Sequence, residues 1–470
     1  MENKQKVELS ELTPALTAVK ISGGKFIYPQ HIAYIDRLIS KAAENPSGRL
    51  IINLPPRHGK SELISKYFPF WYLCRYPDKR IILSSYEATF AQSWGRKVKQ
   101  LIEEFGYELA GIKLSGSSHS AGHFEIDGRA GSMTCVGAGG PITGKGADLF
   151  IIDDPVKNDE EANSSSQREK LWDWFRSTAY TRLEPDGTMI VMMTRWHEDD
   201  LCGRIIENWD SEDGWEIVKI PAIAQNDDLL GRKPGSPLWS RRFSCAKLEK
   251  LKKELGSYWF ESLYQQNPVN IGGGIFKKTD FRYFYIEGDN YVLQNGEHTK
   301  TINKQSCTNW TAVDLAISLS SSADYTVAIT VAISEDNKIL VIDVVRKRIS
   351  PAEHLELVQS LNDKHSPRLI GIESVQYQSA LVQNAASCGF PVKALKPDTD
   401  KLTRALPVAS KFENGMIFFD KDAKWLPELE SELMKFPRDK HDDQVDALAY
   451  VCMLINPITG ILPKSSKSKR

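Results

Sequence analysis

Short apolar runs separated by helix-length stretches constrain this chain more than any other feature. In the first half the runs are Leu50–Leu54, Arg80–Leu83, Leu149–Ile152 and Met189–Met193, alternating with amphipathic helical stretches. That alternation is the pattern of a parallel sheet wound with helices, so an α/β fold is expected. A second set of strand-like runs follows at Thr308–Leu315, Tyr325–Ile333, Ile339–Val345 and Leu369–Ile372. The spacing then predicts a last helix over residues 439–455, with Val445, Leu448, Ala449, Cys452 and Ile455 on one face. Between the two sets stand Asn267-Pro268 and the glycines Gly272, Gly273 and Gly274, which hold little structure. A length of 470 residues exceeds what one hydrophobic core normally serves. The expected plan is a first domain over 1–265, a linker over 266–300, a second domain over 301–455 and a basic polar tail over 456–470.

Composition excludes several classes. Hydrophobic residues are 41% and charged residues 26%, ordinary for a globular chain. No apolar run approaches the ~18 residues of a membrane helix. Met1-Glu2-Asn3-Lys4 leads into no apolar segment, so no secretory signal is expected. The seven cysteines are scattered without a C-x-x-C pair, which argues against a disulfide framework or a zinc site and for a reducing cytoplasm. Sixty basic residues against 61 acidic ones leave a net charge of −1. Coating nucleic acid by bulk charge is thereby excluded, but a local basic groove is not.

Two constellations carry chemistry. Leu54-Pro55-Pro56-Arg57-His58-Gly59-Lys60-Ser61 follows a strand-like run and opens a helical one. Nucleotide phosphates need loop N–H groups, a lysine for the β/γ-phosphates and a hydroxyl for magnesium; Gly59, Lys60 and Ser61 supply them, although Leu54 stands where a first glycine is usual. Leu149–Ile152 ends in Asp153 and Asp154, suited to holding magnesium and polarising the attacking water respectively. Gln30 is placed to read adenine, and Thr194 at the end of Met189–Met193 to sense the γ-phosphate. In the second half, Asp314 lies in one strand and Glu373 ends another, while Asp442, Asp443 and Asp446 open the last helix. Carboxylates from two strands and a final helix suit a pair of magnesium or manganese ions, as in RNase H-like nucleases. Asp443 is the expected third acid, with Asp442 and Asp446 as alternatives. On a helical wheel the latter two lie nearer the apolar face and Asp443 points further out.

With both constellations located, the chain resembles the large subunit of a tailed-bacteriophage terminase from about Tyr28 to Tyr450. Leu54–Ser61 is similar to the family's deviant P-loop, and residues 143–148 with Ile151–Pro155 to its second ATPase motif. Thr194–Leu201 resembles its coupling segment, Tyr264–Pro268 with the glycines and Phe276 its joint, and His441–Ala449 is the most specific match. The resemblance implies an ASCE-type P-loop ATPase domain followed by an RNase H-like nuclease domain. It implies use of ATP and Mg2+ (or Mn2+ at the nuclease), with Arg57, His58, Gly59, Lys60 and Ser61 around the nucleotide. It also implies translocation of double-stranded DNA into a procapsid and cutting of the concatemer. The implied partners are the portal protein, a small terminase subunit and further copies in a ring. The implied setting is the cytoplasm of an infected bacterium, and not the mature virion.

This sequence departs from the family where a glutamate usually follows the Walker B aspartate. Asp154 stands there, with Glu160 and Glu161 as alternatives. Where an arginine finger acting on a neighbouring subunit is expected, Lys145 stands, with Arg57 or Arg129 as alternatives. Lys396, Lys401 and Arg404, between Glu373 and the last helix, are the expected DNA contacts, together with the tail. A helicase–nuclease of DNA repair or phage defence is the rival reading. It would need a second motor domain, for which the residues between Asp200 and Pro268 look too few.

Overall fold

The computed structural model describes residues 12–116, 120–142, 144–208, 214–268, 274–295, 298–316, 325–374, 378–397, 399–438 and 441–459. Thr143, Gly272, Gly273 and most of the basic tail lie outside these. The chain divides into two compact units, Met1–Lys252 with Tyr258–Val269, and Lys253–Ser257 with Asn270–Arg470.

The first unit holds a seven-stranded sheet. Its strands are β1 (Arg49–Asn53), β2 (Arg80–Ser85), β3 (His123–Glu125), β4 (Ser132–Gly137), β5 (Ala147–Asp153), β6 (Leu183–Met193) and β7 (Trp215–Lys219). They lie in the order β3-β4-β2-β5-β6-β1-β7, and every pairing except β3–β4 is parallel. Side chains alternate between two buried layers. Leu50 and Ile52 of β1 and Leu149 and Ile151 of β5 join one apolar cluster; Ile51, Phe150 and Ile152 join another on the opposite face. Both faces are covered, which is why these strands read as continuous apolar runs. Register then sets the site: Asn53 pairs with Met193 and Asp153 with Met192, so β1, β5 and β6 end side by side. Ligands of parallel α/β sheets bind at such an edge, beyond the strands' carboxyl ends.

The second unit holds a nine-stranded sheet of β8 (Arg282–Glu287), β9 (Asn290–Asn295), β10 (His298–Asn303), β11 (Thr308–Asp314), β12 (Thr326–Ile333), β13 (Ile339–Lys347), β14 (Ile370–Glu373), β15 (Val392–Leu395) and β16 (Ile417–Asp420). The order is β10-β9-β8-β16-β13-β12-β11-β14-β15. Strands β11, β12 and β13 run antiparallel in sequence, and β14 returns parallel to β11. The helix Asp443–Thr459 packs Val445, Leu448 and Cys452 into the same cluster as Ala312 of β11 and Val327 of β12. Helix His354–His365 covers Val313 on the other face through Val358 and Leu361.

Three expectations need correction. The stretch 266–300 is not linker through its length, because β8 and β9 lie in it and β8 pairs in parallel with β16. The last helix starts at Asp443 and runs to Thr459, four residues into the stretch read as tail. The helical wheel also misplaced two of the acids: Asp443 is buried at 4% exposure, as Asp446 is at 5%, while the side chain of Asp442 is 23% exposed. Asp442 precedes the helix, so a wheel drawn through it has no physical meaning there.

Candidate functional sites

The loop after β1 is shaped by two left-handed residues, Arg57 at φ 64° and Gly59 at φ 88°. Gly59 meets the side chain of Ile32 at 3.4 Å from where a Cβ would sit, so glycine answers a backbone requirement there more than a steric one. Helical hydrogen bonding begins at Lys60 and passes through the wide-turn segment Glu62–Tyr67 into helix Phe68–Arg75. The Lys60 ammonium is buried between two strand-end groups. It donates to Thr194 Oγ1 at 2.7 Å and pairs with Asp154 at 2.7 Å. Asp154 also accepts the backbone N–H of Thr194 at 2.8 Å, from a left-handed conformation at φ 43°.

Asp153, fully buried at the end of β5, accepts the hydroxyls of Ser61 at 3.0 Å and Ser65 at 2.6 Å. Burial pushes the Asp153 carboxyl up to about 7 and Asp154 adds to the shift, while Lys60, Ser65 and Ser61 oppose it. Ser65 is a residue the sequence reading missed, although i,i+4 spacing from Ser61 puts it on the same helix face. Around this network lies an open cleft of about 640 Å³, a volume within the ~300–1,000 Å³ usual for small-molecule sites. Its walls include Arg57, Gly59, Lys60, Ser61, Asp154 and Thr194, and also Tyr86, Trp94 and Arg242, which the sequence reading had not singled out.

Other expected members are placed elsewhere. The Gln30 amide donates to the Leu230 carbonyl at 2.8 Å and does not line the cleft. His58 is buried with its ring stacked on Phe243 at 4.7 Å. Burial pushes its imidazole down to about 4, so near neutrality it carries no charge to offer a phosphate. Glu160 is exposed outside the cleft. Glu161 accepts the Lys157 N–H at 3.0 Å and lines a neighbouring cavity with Tyr86 and Arg168. Lys145 donates to Thr134 Oγ1 at 3.4 Å and Arg129 pairs with Asp78 at 3.4 Å; neither lines the cleft.

The segment after Thr194 is anchored from within. Arg195 Nε donates to both oxygens of Asp200 at 2.9 Å, and both residues are buried. Asp200 also accepts the N–H groups of Trp196 and Gly203 at 3.2 and 3.0 Å. A Cβ on Gly203 would sit 1.8 Å from the Glu198 carbonyl oxygen, so only glycine allows this close return of the chain.

In the second unit, Val313 of β11 pairs in parallel with Ile372 of β14, which sets the next residues, Asp314 and Glu373, side by side. The helix Asp443–Thr459 brings Asp443 and Asp446 to them. Burial raises Asp314 well above the usual carboxylate range, helped by a hydrogen bond and like charge from Glu373 and by the charges of Asp446 and Asp443. Tyr450 donates its hydroxyl to Glu373 at 2.7 Å, one turn beyond Asp446, another member the sequence reading missed. Asp443 accepts the Tyr325 N–H at 3.2 Å.

Lys401 pairs with Asp442 at 2.5 Å and with Asp446 at 3.5 Å, and Arg404 pairs with Asp446 at 2.7 Å. Of the three cations expected to meet DNA, two are thus engaged by carboxylates, and Lys396 is exposed after β15. Among the described residues no group of three or more His, Cys, Asp or Glu is arranged to hold a metal ion as it stands. The donors nonetheless fit a hard divalent cation: they are all carboxylate oxygens, and they crowd so closely that Asp314 is driven towards its neutral form.

Two family models match the chain. One, described as the N-terminal part of the terminase large subunit of T4likevirus type, covers residues 51–283. The other, described as the terminase RNaseH-like domain, covers 311–454. The chain belongs to the terminase large-subunit family. As a large terminase subunit it carries an ATPase domain and an RNase H-like nuclease domain, the parts of a DNA-packaging motor. Neither match is to a helicase–nuclease of repair or phage defence. No curated protein matches the chain.

Among solved structures, this terminase is similar to the large terminase of a thermophilic bacteriophage, at 13% identity and a TM-score of 0.48, covering 90% of this chain and 98% of that one. For the HK97 bacteriophage large terminase the values are 11% and 0.35, over 83% and 84%. The magnesium-bound large terminase nuclease of thermophilic phage G20c gives 12% and 0.28, over 38% of this chain and 96% of that one. These likenesses are distant, and the family assignment rests on the two family matches. No helix among the described residues is long and apolar enough to cross a membrane.

Proposed function

We propose that this large terminase subunit hydrolyses ATP to drive double-stranded DNA into a procapsid, and cuts the concatemer with a second, metal-dependent site. Its partners in this reading are the portal protein, a small terminase subunit and further copies of itself in a ring. The work is divided between an ATPase domain of about residues 1–265 and a nuclease domain of about 270–459. The observation that carries the proposal is the Lys60 network: a P-loop lysine held between the end of β5 and the end of β6, where a phosphate can displace its carboxylate partner.

Ser61 and Asp153 would hold magnesium with the nucleotide, and Asp314, Glu373 and Asp443 would hold the nuclease ions. Bound there, the ions supply charge neutralisation and a water acidic enough to attack phosphorus. The protein's own part begins at Lys60, which exchanges Asp154 for the β/γ-phosphates as ATP enters. That exchange frees the Asp154 carboxylate to take a proton from the attacking water. Thr194 bonds both Lys60 and, through its N–H, Asp154, so it links phosphate occupancy to the segment Arg195–Asp200 that follows. Ser65 orients Asp153 and favours its charged form against burial. In the nuclease, the Tyr450 hydroxyl fixes the Glu373 carboxylate, and Arg404 with Lys401 neutralises Asp446, which relieves the acid cluster of one negative charge.

DNA contact is through phosphates, because packaging has to proceed on any sequence. Lys396 is available for this as it stands, and Lys401 and Arg404 become so only on leaving Asp442 and Asp446. The test is ATP-driven protection of DNA from DNase by procapsids carrying the portal, with and without this chain. Protection that needs both the chain and ATP is expected, and protection independent of either would refute the reading.

A further inference from the structure

We propose that Arg346 and Arg348, gathered on the ring of Tyr325, form a phosphate-binding cradle for duplex DNA beside the nuclease carboxylates. This rests on the nuclease reading above and adds to it residues that neither the motifs nor the family matches single out. Strands β12 and β13 are antiparallel, with Thr326 opposite Lys347 and Val327 opposite Arg346. Alternation therefore puts Arg346 on the same sheet face as Val327, which packs in the cluster under the last helix, and Arg348 follows just past the strand end. That face is where Asp443 and His441 arrive.

The guanidinium carbon of Arg346 lies 3.6 Å from the Tyr325 ring centroid and that of Arg348 lies 4.2 Å from it. The same tyrosine donates its N–H to Asp443 at 3.2 Å and meets the His441 ring at 5.5 Å. The cations are thus tied to the carboxylate cluster through one residue. Arg346 is held by the exposed Glu428 at 2.5 Å, a partner that solvent can take over when a phosphate arrives, and Arg348 stands exposed beside it. A second observation points to an anion. Among the described residues, Arg346 Nε is buried without a hydrogen-bond partner, and so is Arg404 Nε on Asp446, while His441 Nδ1 faces Asp443 at 4.0 Å. Nitrogen donors left open around a carboxylate cluster do not attract a metal ion. They match the oxygens of a phosphodiester, and guanidinium groups bind these in pairs. Tyr325 supplies the rigid aromatic surface on which both arginines rest.

The test uses the full chain and a fluorescent DNA duplex in EDTA without nucleotide, so that nothing is cut, with anisotropy read from low to moderate salt. Removing one arginine–phosphate pair should lower the slope of log K against log salt by ~0.9, so Arg348→Gln should lower it by about one and the double variant Arg346→Gln/Arg348→Gln by up to about two. Arg348→Lys, which keeps the charge, should restore most of the slope. With Mn2+, the plasmid concentration for half-maximal nicking should rise in Arg348→Gln while steady-state ATP hydrolysis stays unchanged. Because Arg348 is exposed, its variant is expected to fold, and a thermal melt checks this. An unchanged salt slope in Arg348→Gln would overturn the cradle. So would a loss of maximal nicking rate with duplex binding intact, since that marks a purely structural role. If the unaltered chain fails to nick at all, the nuclease reading falls, and the salt slopes still decide whether the cradle binds DNA.

Discussion

The pair Arg195–Asp200 gives the sharpest prediction about how the segment after Thr194 is held. Arg195 is 3% exposed and Asp200 2%, and Arg195 Nε lies 2.9 Å from each Asp200 oxygen. Arg195→Met keeps the apolar stem but removes the guanidinium, leaving a buried carboxylate without its countercharge. Removing one partner of a buried pair costs ~3–5 kcal/mol. Asp200 would keep the N–H groups of Trp196, His197 and Gly203, which stabilise its charge, so the lower end, about 3 kcal/mol, is expected. For a domain of this size each kcal/mol lowers Tm by roughly 2–4 °C, giving a fall of about 6–12 °C. Asp200→Asn should cost nearly as much, because the buried Arg195 would then lose its countercharge and keep only one amide oxygen beside the Glu198 and His197 carbonyls at 3.2 and 3.4 Å. The double variant Arg195→Met/Asp200→Leu removes both charges and should be clearly more stable than the sum of the singles implies, with a coupling of ~2 kcal/mol or more. The assay is thermal unfolding followed by tryptophan fluorescence, which Trp196 reports through its contact with Trp259 at 5.7 Å. Single variants that fall by less than about 2 °C, or a double variant that is simply additive, would refute the reasoning.

Other predictions concern the second unit. Burial pushes Glu432 up to about 7 from an ordinary 4.5, against the N–H groups of Gln444 and Val445 that favour its charge. A raised carboxylate contributes stability that is full below about 4.5 and is lost as pH rises through about 7. Melting of wild type and Glu432→Gln at pH 5.5 and 8 should therefore show wild type losing ground on the variant, by up to ~2 kcal/mol, as pH rises; a constant difference would contradict it. Tyr450→Phe removes the hydroxyl from Glu373 and should raise the Mn2+ concentration needed for half-maximal nicking by ~10-fold or more, leaving ATP hydrolysis unaltered. Asp443→Asn should abolish nicking, whereas Asp442→Asn, at a more exposed carboxylate already held by Lys401, should lower it no more than about tenfold in line with an outer-shell role; the reverse order, read on supercoiled plasmid, would reassign the third acid.

How much of this was legible in the sequence follows from burial. Strands β1, β2, β5 and β6 are covered on both faces, so their apolar runs stood out. Strand β7, Trp215-Glu216-Ile217-Val218-Lys219, sits at the sheet edge with its glutamate and last lysine exposed, and carries no such signal. Strands β8 and β9 carry short apolar runs, Tyr283–Ile286 and Tyr291–Leu293, but the three glycines upstream turned the reading towards a linker. Strand-end acids were readable because an apolar run ending in Asp or Glu leaves the carboxylate at a sheet edge. The pairing of Lys401 with Asp442 was not, because it joins residues 41 apart through the tertiary fold alone. The burial of Asp443 likewise depends on where the helix begins, which composition does not determine.

The central claim is that one chain carries two separately built catalytic sites, and the most direct measurement is a crossed pair of variants assayed for both activities. Lys60→Ala removes the ammonium between Asp154 and Thr194 and should abolish ATP-dependent phosphate release while plasmid nicking with Mn2+ persists. Asp314→Asn should abolish nicking and leave phosphate release at the wild-type rate. Undiminished phosphate release by Lys60→Ala, or undiminished nicking by Asp314→Asn, would contradict the account.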